Sequence, residues 1–209
     1  MKIYGDLQSG NCLKVKYTAD LLGLSYEWQD IDILQGQSRT DSFLHINPHG
    51  QVPVVQFDDG RTLAQSNAIL RFLSRDSALL PEDPFTQAKI DEWLFWEQYS
   101  HEPYIAVCRF QMHYLNKPKD TREQWRVERG ETALDIMDQH LSKQDWFVGD
   151  DMTIAGISLY AYSHVAGEGG FDLTARPAVQ SWIKRCSALD ATMNFGAPGA
   201  TPVPGQSQE

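Results

Sequence analysis

Segments with the two-residue period of strands alternate with helical stripes through the first eighty residues. Cys12, Val15 and Ala19, at steps of three and four, mark the buried face of one predicted helix, and Ser66 stands at the N-cap position of another. The pattern predicts a strand, a helix, a strand, a hairpin and a helix, over residues 2–5, 11–22, 25–33, 52–64 and 66–73. The polar segment 35–49 has no regular period. This alternation predicts a compact α/β unit.

Beyond a proline-containing linker over 79–84, the pattern is helical throughout. One long apolar segment begins near Ile90 and is expected to kink at Pro103. Three further apolar stripes follow, within residues 127–141, 154–161 and 179–186. The order predicts an α/β domain over 1–80, an all-helical domain over 85–195 and, from its proline, glycine and small residues, a flexible tail over 196–209.

The charge of the chain argues against partners with a phosphate backbone. Its 209 residues contain 18 basic and 28 acidic side chains, for a net charge of −10, and no basic cluster interrupts this excess. Residues 1–80 hold seven basic and nine acidic residues, a net of −2, so most of the excess lies in the predicted helical domain. We therefore expect no nucleic-acid binding, while a small anionic ligand of the first domain is not excluded.

The remaining composition predicts a soluble, cytoplasmic protein without a metal. No apolar run reaches the length of a membrane span, and the first residues do not form a signal peptide. Three widely spaced cysteines do not form a disulfide framework. His45 and His49 are four residues apart, but Asn47-Pro48 prevents them from sharing one helical face, so no metal site is expected.

Ser9-Gly10-Asn11-Cys12, between the first strand and the first helix, carries the strongest signal for chemistry. A helix N-terminus favours an anion, and Ser9 and Asn11 add a hydroxyl and an amide donor. Together they suit a thiolate. Lowering a thiol pKa by ~2 units needs ~2.7 kcal/mol, and one hydrogen bond to a charged group contributes ~1.5–3 kcal/mol. The alternative is that Ser9 or Asn11 only caps the helix. Cys12 has the spacing of a redox pair with Ser9 in place of the first sulfur, but it lies on the apolar stripe, which favours a buried structural role.

Two further motifs suit a peptide-like ligand. Pro53 opens a strand and can follow a cis peptide bond, in which case the backbone of Val52 is free to pair with an extended ligand. Gln65-Ser66 precedes a helix and can hold a carboxylate at its N-terminus. The alternatives are a proline that opens an edge strand and a serine that only caps.

In these motifs the chain resembles the glutathione S-transferases over nearly its whole length. The resemblance rests on the serine after the first strand, on Gln65-Ser66, on the segment from Asn47-Pro48 to Val52-Pro53, and on Thr153-Ile154-Ala155. It implies a thioredoxin-like domain of order β-α-β-α-β-β-α, followed by an all-helical domain. Ser9 resembles the serine of the theta and zeta classes, and Ser9-x-Asn11 resembles the Thr-x-Asn of the nu class.

The resemblance also implies the roles of individual residues. Ser9, assisted by Asn11, would activate the thiol of glutathione as a thiolate for attack on a small hydrophobic electrophile. The other glutathione contacts would come from the cysteinyl-binding backbone, the γ-glutamyl site and the glycyl site: Val52 and the cis-Pro53, Gln65 and Ser66, and Gln37 and Gln51. A homodimer with a detoxifying role is expected. The alternatives are a glutathione-disulfide oxidoreductase without a catalytic cysteine, and a binding protein without activity.

The chain departs from the family pattern at two places. Related proteins usually carry an acidic residue within or just before the pair at Gln65-Ser66, so a neutral Gln65 is expected to bind the ligand ammonium less tightly. Gly156 replaces the aspartate of the capping box that begins at Thr153, which is expected to weaken the second domain locally.

The pocket for the electrophile is expected between the domains, on the segment after the kink. The candidates recur there at helical spacing: His101, Tyr104, Ile105 and Cys108. The domain core or a dimer partner is the alternative surrounding for each of them. Arg109 is a further candidate, as a partner for an anion.

Overall fold

A computed structural model describes residues 1–193, with side chains up to residue 189. The predicted tail and the last two residues of the predicted helical domain lie outside this range. The N-terminal part contains four strands and three helices in the predicted order: β1 (Lys2–Gly5), α1 (Gly10–Leu21), β2 (Glu27–Asp30), α2 (Asp41–Ile46), β3 (Val54–Gln56), β4 (Thr62–Ala64) and α3 (Ser66–Leu73). The thioredoxin-like fold is confirmed.

The four strands form one mixed sheet in the order β2-β1-β3-β4. Strand β1 pairs in parallel with β2, with Ile3 opposite Trp28, and antiparallel with β3, with Ile3 opposite Val55. Ile3 and Val55 are fully buried in this sheet. The β1–α1 turn and the start of β3 therefore lie next to each other, which brings two of the predicted motifs together.

The segment 35–49 contains structure that the hydrophobic pattern missed. A 3-10 turn, Gln37–Arg39, precedes α2, and the Thr40 hydroxyl caps α2 by accepting a hydrogen bond from the Phe43 amide at 3.3 Å. Phe43 is the one buried residue of this six-residue helix, so no periodic stripe exists to detect. The order implied by the family resemblance was right here.

The second part is entirely helical, as predicted. Its elements are α4 (Pro84–Trp96), a π-helical turn (Glu97–His101), α5 (Glu102–Arg109), a second π-helical turn (Phe110–Tyr114), α6 (Gln124–Leu141), α7 (Ile154–Ser163) and α8 (Pro177–Met193). The break in the long segment lies at the first π-helical turn, just before Pro103. Every residue of α7 is buried. No helix among residues 1–193 has the length and apolar character needed to cross a membrane.

Side chains from the helical part hold the β1–α1 turn in place. Arg109 is buried, pairs with Glu168 at 2.6 Å and donates to the backbone oxygen of Gln8 at 2.5 Å. Tyr114 donates to the Asp6 carboxylate at 2.9 Å. The Arg109 guanidinium therefore joins the helical part to the β1–α1 turn. Its anionic partner is Glu168, where the sequence suggested an anionic ligand.

Candidate active site

A cleft of about 520 Å³ opens where the β1–α1 turn, the start of β3 and the start of α3 converge. Residues from the helical part close its far side: Gln98, Glu102 and Phe110. Most of the predicted glutathione-site residues line this cleft: Ser9, Asn11, Gln51, Val52, Pro53, Gln65 and Ser66. They come from separate stretches of sequence, so the cleft is a product of the fold.

Ser9 occupies the N-cap position of α1, but its side chain caps nothing. The hydroxyl lies within hydrogen-bonding reach of the Cys12 thiol and the Tyr162 hydroxyl. The first amide of the helix after Gly10, that of Asn11, donates instead to the Tyr162 oxygen at 3.3 Å. Ser9 is only partly buried and faces the cleft, so its hydroxyl is free to turn towards a ligand.

Cys12 is fully buried on the core face of α1. Desolvation raises the pKa of its thiol to about 12, against weaker lowering by a hydrogen bond to the Asp6 backbone. A thiol in this state is neither ionised at neutral pH nor accessible to a substrate. The buried structural role favoured by the sequence therefore agrees with the geometry.

The loop before β3 is shaped by Asn47. Its side-chain amide donates to the Gln51 carbonyl at 2.7 Å, and its backbone carbonyl accepts from the Gly50 amide at 2.9 Å. Gly50 has a φ of +61°, a backbone conformation that favours glycine, and a Cβ there would also lie 3.0 Å from the backbone oxygen of Ser38. The Val52–Pro53 peptide bond is cis, as the family resemblance implies.

Gln65 adopts a φ of +70°, which a non-glycine residue rarely does. It is the N-cap residue of α3, and Ser66 is the first helical residue, so the expectation of a Ser66 N-cap was wrong by one position. As a result the Ser66 hydroxyl is not used for capping. It points towards Asn11 and donates to its side-chain oxygen at 3.2 Å. A strained residue held at a cleft is a frequent feature of binding sites.

Asn11 is the centre of a polar network that the sequence did not indicate. Its oxygen Oδ1 accepts from Lys14 Nζ at 2.8 Å, and its nitrogen Nδ2 donates to Glu102 Oε1 at 3.1 Å. Burial raises the pKa of the Glu102 carboxyl, the largest of several influences that include lowering by Lys14. Lys14 in turn pairs with Glu97.

Gln37 does not line the cleft. Its side-chain oxygen accepts a hydrogen bond from the Asp32 amide at 2.8 Å, and the side chain is exposed. Its neighbours Ser38 and Arg39 line the cleft instead, because the 3-10 turn directs residue 37 away. The only local signal for Arg39 is its place in Gly36-Gln37-Ser38-Arg39, where it is the one cation.

The residues expected to line an electrophile pocket face the interior. His101 and Cys108 have no exposed surface, and Tyr104 packs edge-on against Trp125 and accepts a hydrogen bond from Arg129. They and Ile105 continue the buried stripe of α4, which was the alternative stated above. The cleft face of the same segment carries Gln98, Glu102 and Phe110 at steps of four and eight. A search for apolar periodicity misses this face because Gln98 and Glu102 are polar.

A second pocket of about 440 Å³ adjoins the cleft, and Ile33 lines both. Three aspartates, three apolar residues and three further side chains form its wall: Asp6, Asp30, Asp32, Ile31, Ile33, Leu34, Gln8, His113 and Tyr114. Within residues 1–193, no group of three or more histidine, cysteine, aspartate or glutamate side chains is placed to hold a metal ion.

Comparison with known proteins places this architecture among the glutathione S-transferases. Residues 8–76 match the model of the glutathione S-transferase N-terminal domain, and residues 96–190 match that of the C-terminal domain. A glutathione S-transferase from Pseudomonas fluorescens is 50% identical and superposes with a TM-score of 0.85, over 88% of this chain and 92% of its own. One from Xanthobacter autotrophicus is 40% identical, with a TM-score of 0.85 over 97% and 96% of the two chains. Mouse glutathione S-transferase theta-3 is 28% identical over 90% of this chain and 82% of its own length.

Proposed function

This chain belongs to the glutathione S-transferase superfamily, and on that premise we propose that it transfers glutathione to a small apolar electrophile, with Ser9 and Asn11 holding the sulfur. The observation that carries the proposal is the cleft itself. It brings the hydroxyl of Ser9, the amide of Asn11, the backbone of Val52 and the start of α3 to one surface. Those groups match the functional groups of one extended tripeptide.

The two ends of glutathione find separate partners in this cleft. The γ-glutamyl carboxylate would lie at the N-terminus of α3, where the Ser66 hydroxyl and the first free amides point. The glycyl carboxylate would pair with Arg39, with Gln51 beside it, and this pairing replaces the role expected of Gln37. The Val52 backbone would hold the cysteinyl residue between them.

Thiolate formation would rest on donors at the start of α1. A hydrogen bond to a charged acceptor contributes ~1.5–3 kcal/mol, and the positive end of the helix adds to this. Since ~1.4 kcal/mol corresponds to one pKa unit, Ser9 and Asn11 together suffice to lower the pKa of the bound thiol by about two units. The thiolate would then attack the electrophile, and catalysis would consist mainly of ionisation and positioning.

The direct test measures binding first and chemistry second. Calorimetric titration with glutathione should show binding, and an aryl halide assay should show conjugation. Ser9→Ala should lower kcat/KM by about tenfold to a hundredfold, the loss of one charge-assisted hydrogen bond, with KM for glutathione nearly unchanged. Ser42→Ala, at an exposed serine outside the cleft, serves as the matched control.

Two outcomes would contradict this proposal. No binding at millimolar glutathione would favour a protein that kept the fold without the activity. An unchanged conjugation rate in Ser9→Ala would remove the role given to its hydroxyl.

The electrophile would occupy the pocket beside the cleft. It adjoins the cleft at Ile33 and contributes Ile31, Leu34 and Tyr114 as apolar and aromatic surface. Phe110, on the cleft side, would cover the reacting sulfur from the helical part. This assignment takes the place of the pocket expected around His101, Tyr104 and Cys108.

The Ser9-x-Asn11 pair also supports a second reaction, exchange between glutathione and a disulfide. The thiolate of one glutathione would attack the disulfide and release the first thiol, and a second glutathione would attack the mixed disulfide to give glutathione disulfide and the second thiol. The free N–H of the Asn11 amide would hold the leaving thiolate until it takes a proton from solvent. A disulfide-reductase assay on Cys12→Ala separates this route from protein-thiol chemistry, because the buried Cys12 takes no part in the proposed exchange. Loss of the reductase activity in that variant would contradict it.

A homodimer is part of the proposal. Phe95, near the end of α4, and Tyr99, in the first π-helical turn, are four residues apart, and 73% and 80% of their surfaces are exposed. Two large apolar side chains on one exposed face suit contact with a second copy. We place the active dimer in the cytoplasm, in a detoxifying role, since Cys12, Cys108 and Cys186 are all reduced. The domain division at residues 1–80 and 85–195 also remains a proposal.

A further inference from the structure

A buried ion pair lies directly behind the cleft. Lys14 Nζ and Glu97 Oε1 are 2.8 Å apart, and neither side chain has any exposed surface. Lys14 belongs to α1 and Glu97 to the first π-helical turn, so the pair joins the two parts of the molecule. Burying two charges is unfavourable, and an apolar pair of similar size fills such a space without that penalty. Packing alone does not account for the pair.

Both carboxylate oxygens of Glu97 have hydrogen-bond partners. Its Oε1 binds Lys14, and its Oε2 accepts from Gln98 at 2.8 Å, from Ser158 at 3.2 Å and from Asn67 at 3.3 Å. The carboxylate is therefore fixed, and it fixes the ammonium group of Lys14. That ammonium makes one further hydrogen bond, at 2.8 Å to the side-chain oxygen of Asn11.

This hydrogen bond permits one orientation of the Asn11 amide. An ammonium group has no acceptor, so Asn11 must turn its oxygen Oδ1 towards Lys14. On the opposite side, the Glu102 carboxylate takes a hydrogen bond from Nδ2 at 3.1 Å. A rotation by 180° would set the NH₂ group against an ammonium and the oxygen against a carboxylate. The network thus keeps the NH₂ group of Asn11 away from Lys14. One of its N–H groups donates to Glu102, and the other is left for a ligand on the side on which the cleft lies.

We propose that Lys14 is a positioning residue, which through its pair with Glu97 holds the free N–H of the Asn11 side-chain amide towards the sulfur of bound glutathione. The inference rests on the proposed function and assigns the support of that site. Donors oriented before the ligand arrives need no reorganisation when the negative charge forms on sulfur. Both Lys14 and Ser66 donate to Asn11 Oδ1. Ser66 can therefore turn its hydroxyl to the ligand, because Lys14 keeps that oxygen paired.

The test removes both buried charges together. Lys14→Met alone would strand the Glu97 carboxylate, whereas K14M/E97Q keeps the volumes and an amide for the Asn67 and Ser158 contacts. The readout is the pKa of the bound glutathione thiol, from its ultraviolet absorbance and from the pH profile of kcat/KM. We expect the thiol pKa to rise by about one unit, and kcat/KM at neutral pH to fall by about tenfold, with the difference vanishing at high pH. Lys16→Met, which breaks the Lys16–Asp20 pair on the same helix, is the matched control.

The same double substitution in an Asn11→Ala background decides how Lys14 acts. If it acts through Asn11, the pKa shift disappears when Asn11 is absent, and the two effects are not additive. An equal shift in both backgrounds would show a direct electrostatic effect and overturn the proposal. If K14M/E97Q causes no pKa shift in the protein that keeps Asn11, the proposal is overturned as well.

A ligand-free measurement separates this proposal from the proposed function and does not depend on any variant. In wild-type protein with labelled asparagine side chains, nuclear Overhauser contacts of the Asn11 amide protons should reach the Glu102 methylene groups. Amide protons nearest the end of the Lys14 side chain would overturn the assigned orientation. If the protein binds no glutathione, the proposed function fails, while this measurement still decides the orientation.

Discussion

At the residue scale, most groups of the site suit an anionic tripeptide. The exception is Gln65, which is expected to bind the ligand ammonium less tightly than the acidic residue usual in the family. Gln65 stands at the position expected to meet the ligand ammonium, with its backbone at a φ of +70°. An amide only hydrogen-bonds an ammonium, whereas a carboxylate also pairs with its charge. Replacement of the Gln65 amide by a carboxylate is therefore expected to raise the affinity for glutathione.

Gln65→Glu should bind glutathione about fivefold more tightly, because a partly exposed ion pair contributes up to ~1 kcal/mol. Calorimetry at low ionic strength measures the change. Gln35→Glu adds the same charge at an exposed position outside the cleft and should leave the affinity unchanged. Equal or weaker binding by Gln65→Glu would place the ammonium elsewhere.

His101 makes the stability of the protein sensitive to acid. Burial lowers its pKa to about 4, which outweighs the opposing effect of Glu97, and Lys14 lowers the pKa further. Its Nε2 meets the Ser163 hydroxyl at 3.0 Å, and its Nδ1 has no partner. In the unfolded chain the pKa is about 6.5, so the unfolded state binds the proton first as the pH falls.

The contribution of His101 is therefore complete above pH ~6.5 and is lost as the pH falls towards 4, by up to about 3 kcal/mol of unfolding free energy. Denaturant unfolding across this range should show a flatter pH dependence for His101→Gln than for wild type. His45→Gln, at an exposed histidine, should keep the wild-type slope. Identical slopes in all three proteins would contradict the lowered pKa.

At the element scale, helix caps differ from what their sequences suggest. Thr40 caps α2 with its hydroxyl, in a segment without a hydrophobic stripe. Thr153 is the N-cap residue of α7, but its side chain makes no cap hydrogen bond. The first amide of α7, that of Ile154, donates instead to the linker carbonyl of Leu79 at 3.0 Å. The linker thus satisfies one of the amides left free at the start of α7, whereas a capping box would pair those of Thr153 and Gly156.

Substitution of each threonine by the isosteric valine tests this difference. Thr40→Val should lower the unfolding free energy by about 1 kcal/mol, because it removes a cap hydrogen bond. Thr153→Val should change it by less than ~0.5 kcal/mol, because no cap bond is lost. Chemical denaturation measures both, and a larger loss at Thr153 would show that its hydroxyl does cap α7.

At the scale of the whole molecule, the exposed apolar surface bears on the proposed dimer, and the net charge bears on the proposed electrophile. Phe95 and Tyr99 lie on the proposed contact face, and a charge placed between two copies would be buried without a partner. Phe95→Glu should therefore shift the protein from dimer to monomer in analytical ultracentrifugation. Leu115→Glu, at an exposed leucine of another segment, should remain dimeric. A dimer that survives Phe95→Glu would place the interface on another face.

The net charge of −10 also affects which electrophiles the protein accepts. Asp6, Asp30 and Asp32 line the pocket beside the cleft, and none of the three takes part in the ion pairs found within residues 1–193. Repulsion inside a pocket is screened less than repulsion at an open surface. If this pocket is the electrophile site, as proposed, we expect it to favour neutral or cationic electrophiles.

An aryl halide that carries a carboxylate should react about tenfold or more slowly than its neutral analogue, a cost of about 1.4 kcal/mol. Asp32→Asn should narrow that ratio while keeping an oxygen for the Leu34 amide, which donates to it at 2.9 Å. The exposed Asp150→Asn should leave the ratio unchanged. Equal rates for the two electrophiles in the wild-type protein would contradict an acidic pocket.

The sequence by itself determined the order of the elements and the contiguous motifs. The period of apolar residues in α1 and α6 reflects one buried face each, which is a local property. The family resemblance supplied α2, where a single buried residue leaves no period. The cis peptide bond before Pro53 lies in a contiguous motif, so the family resemblance was sufficient to imply it.

Only the tertiary structure decided which side chains face the cleft from the helical part. Gln98, Glu102 and Phe110 line the cleft, whereas His101 and Cys108 of the same segment lie in the core. Lys14 and Glu97 are 83 positions apart, and their pairing follows from the packing of α1 against the helices of the second part. Hydrophobic periodicity records which face of an element is buried. It does not record what that face meets, because burial is a local requirement and polar partners are chosen across the whole fold.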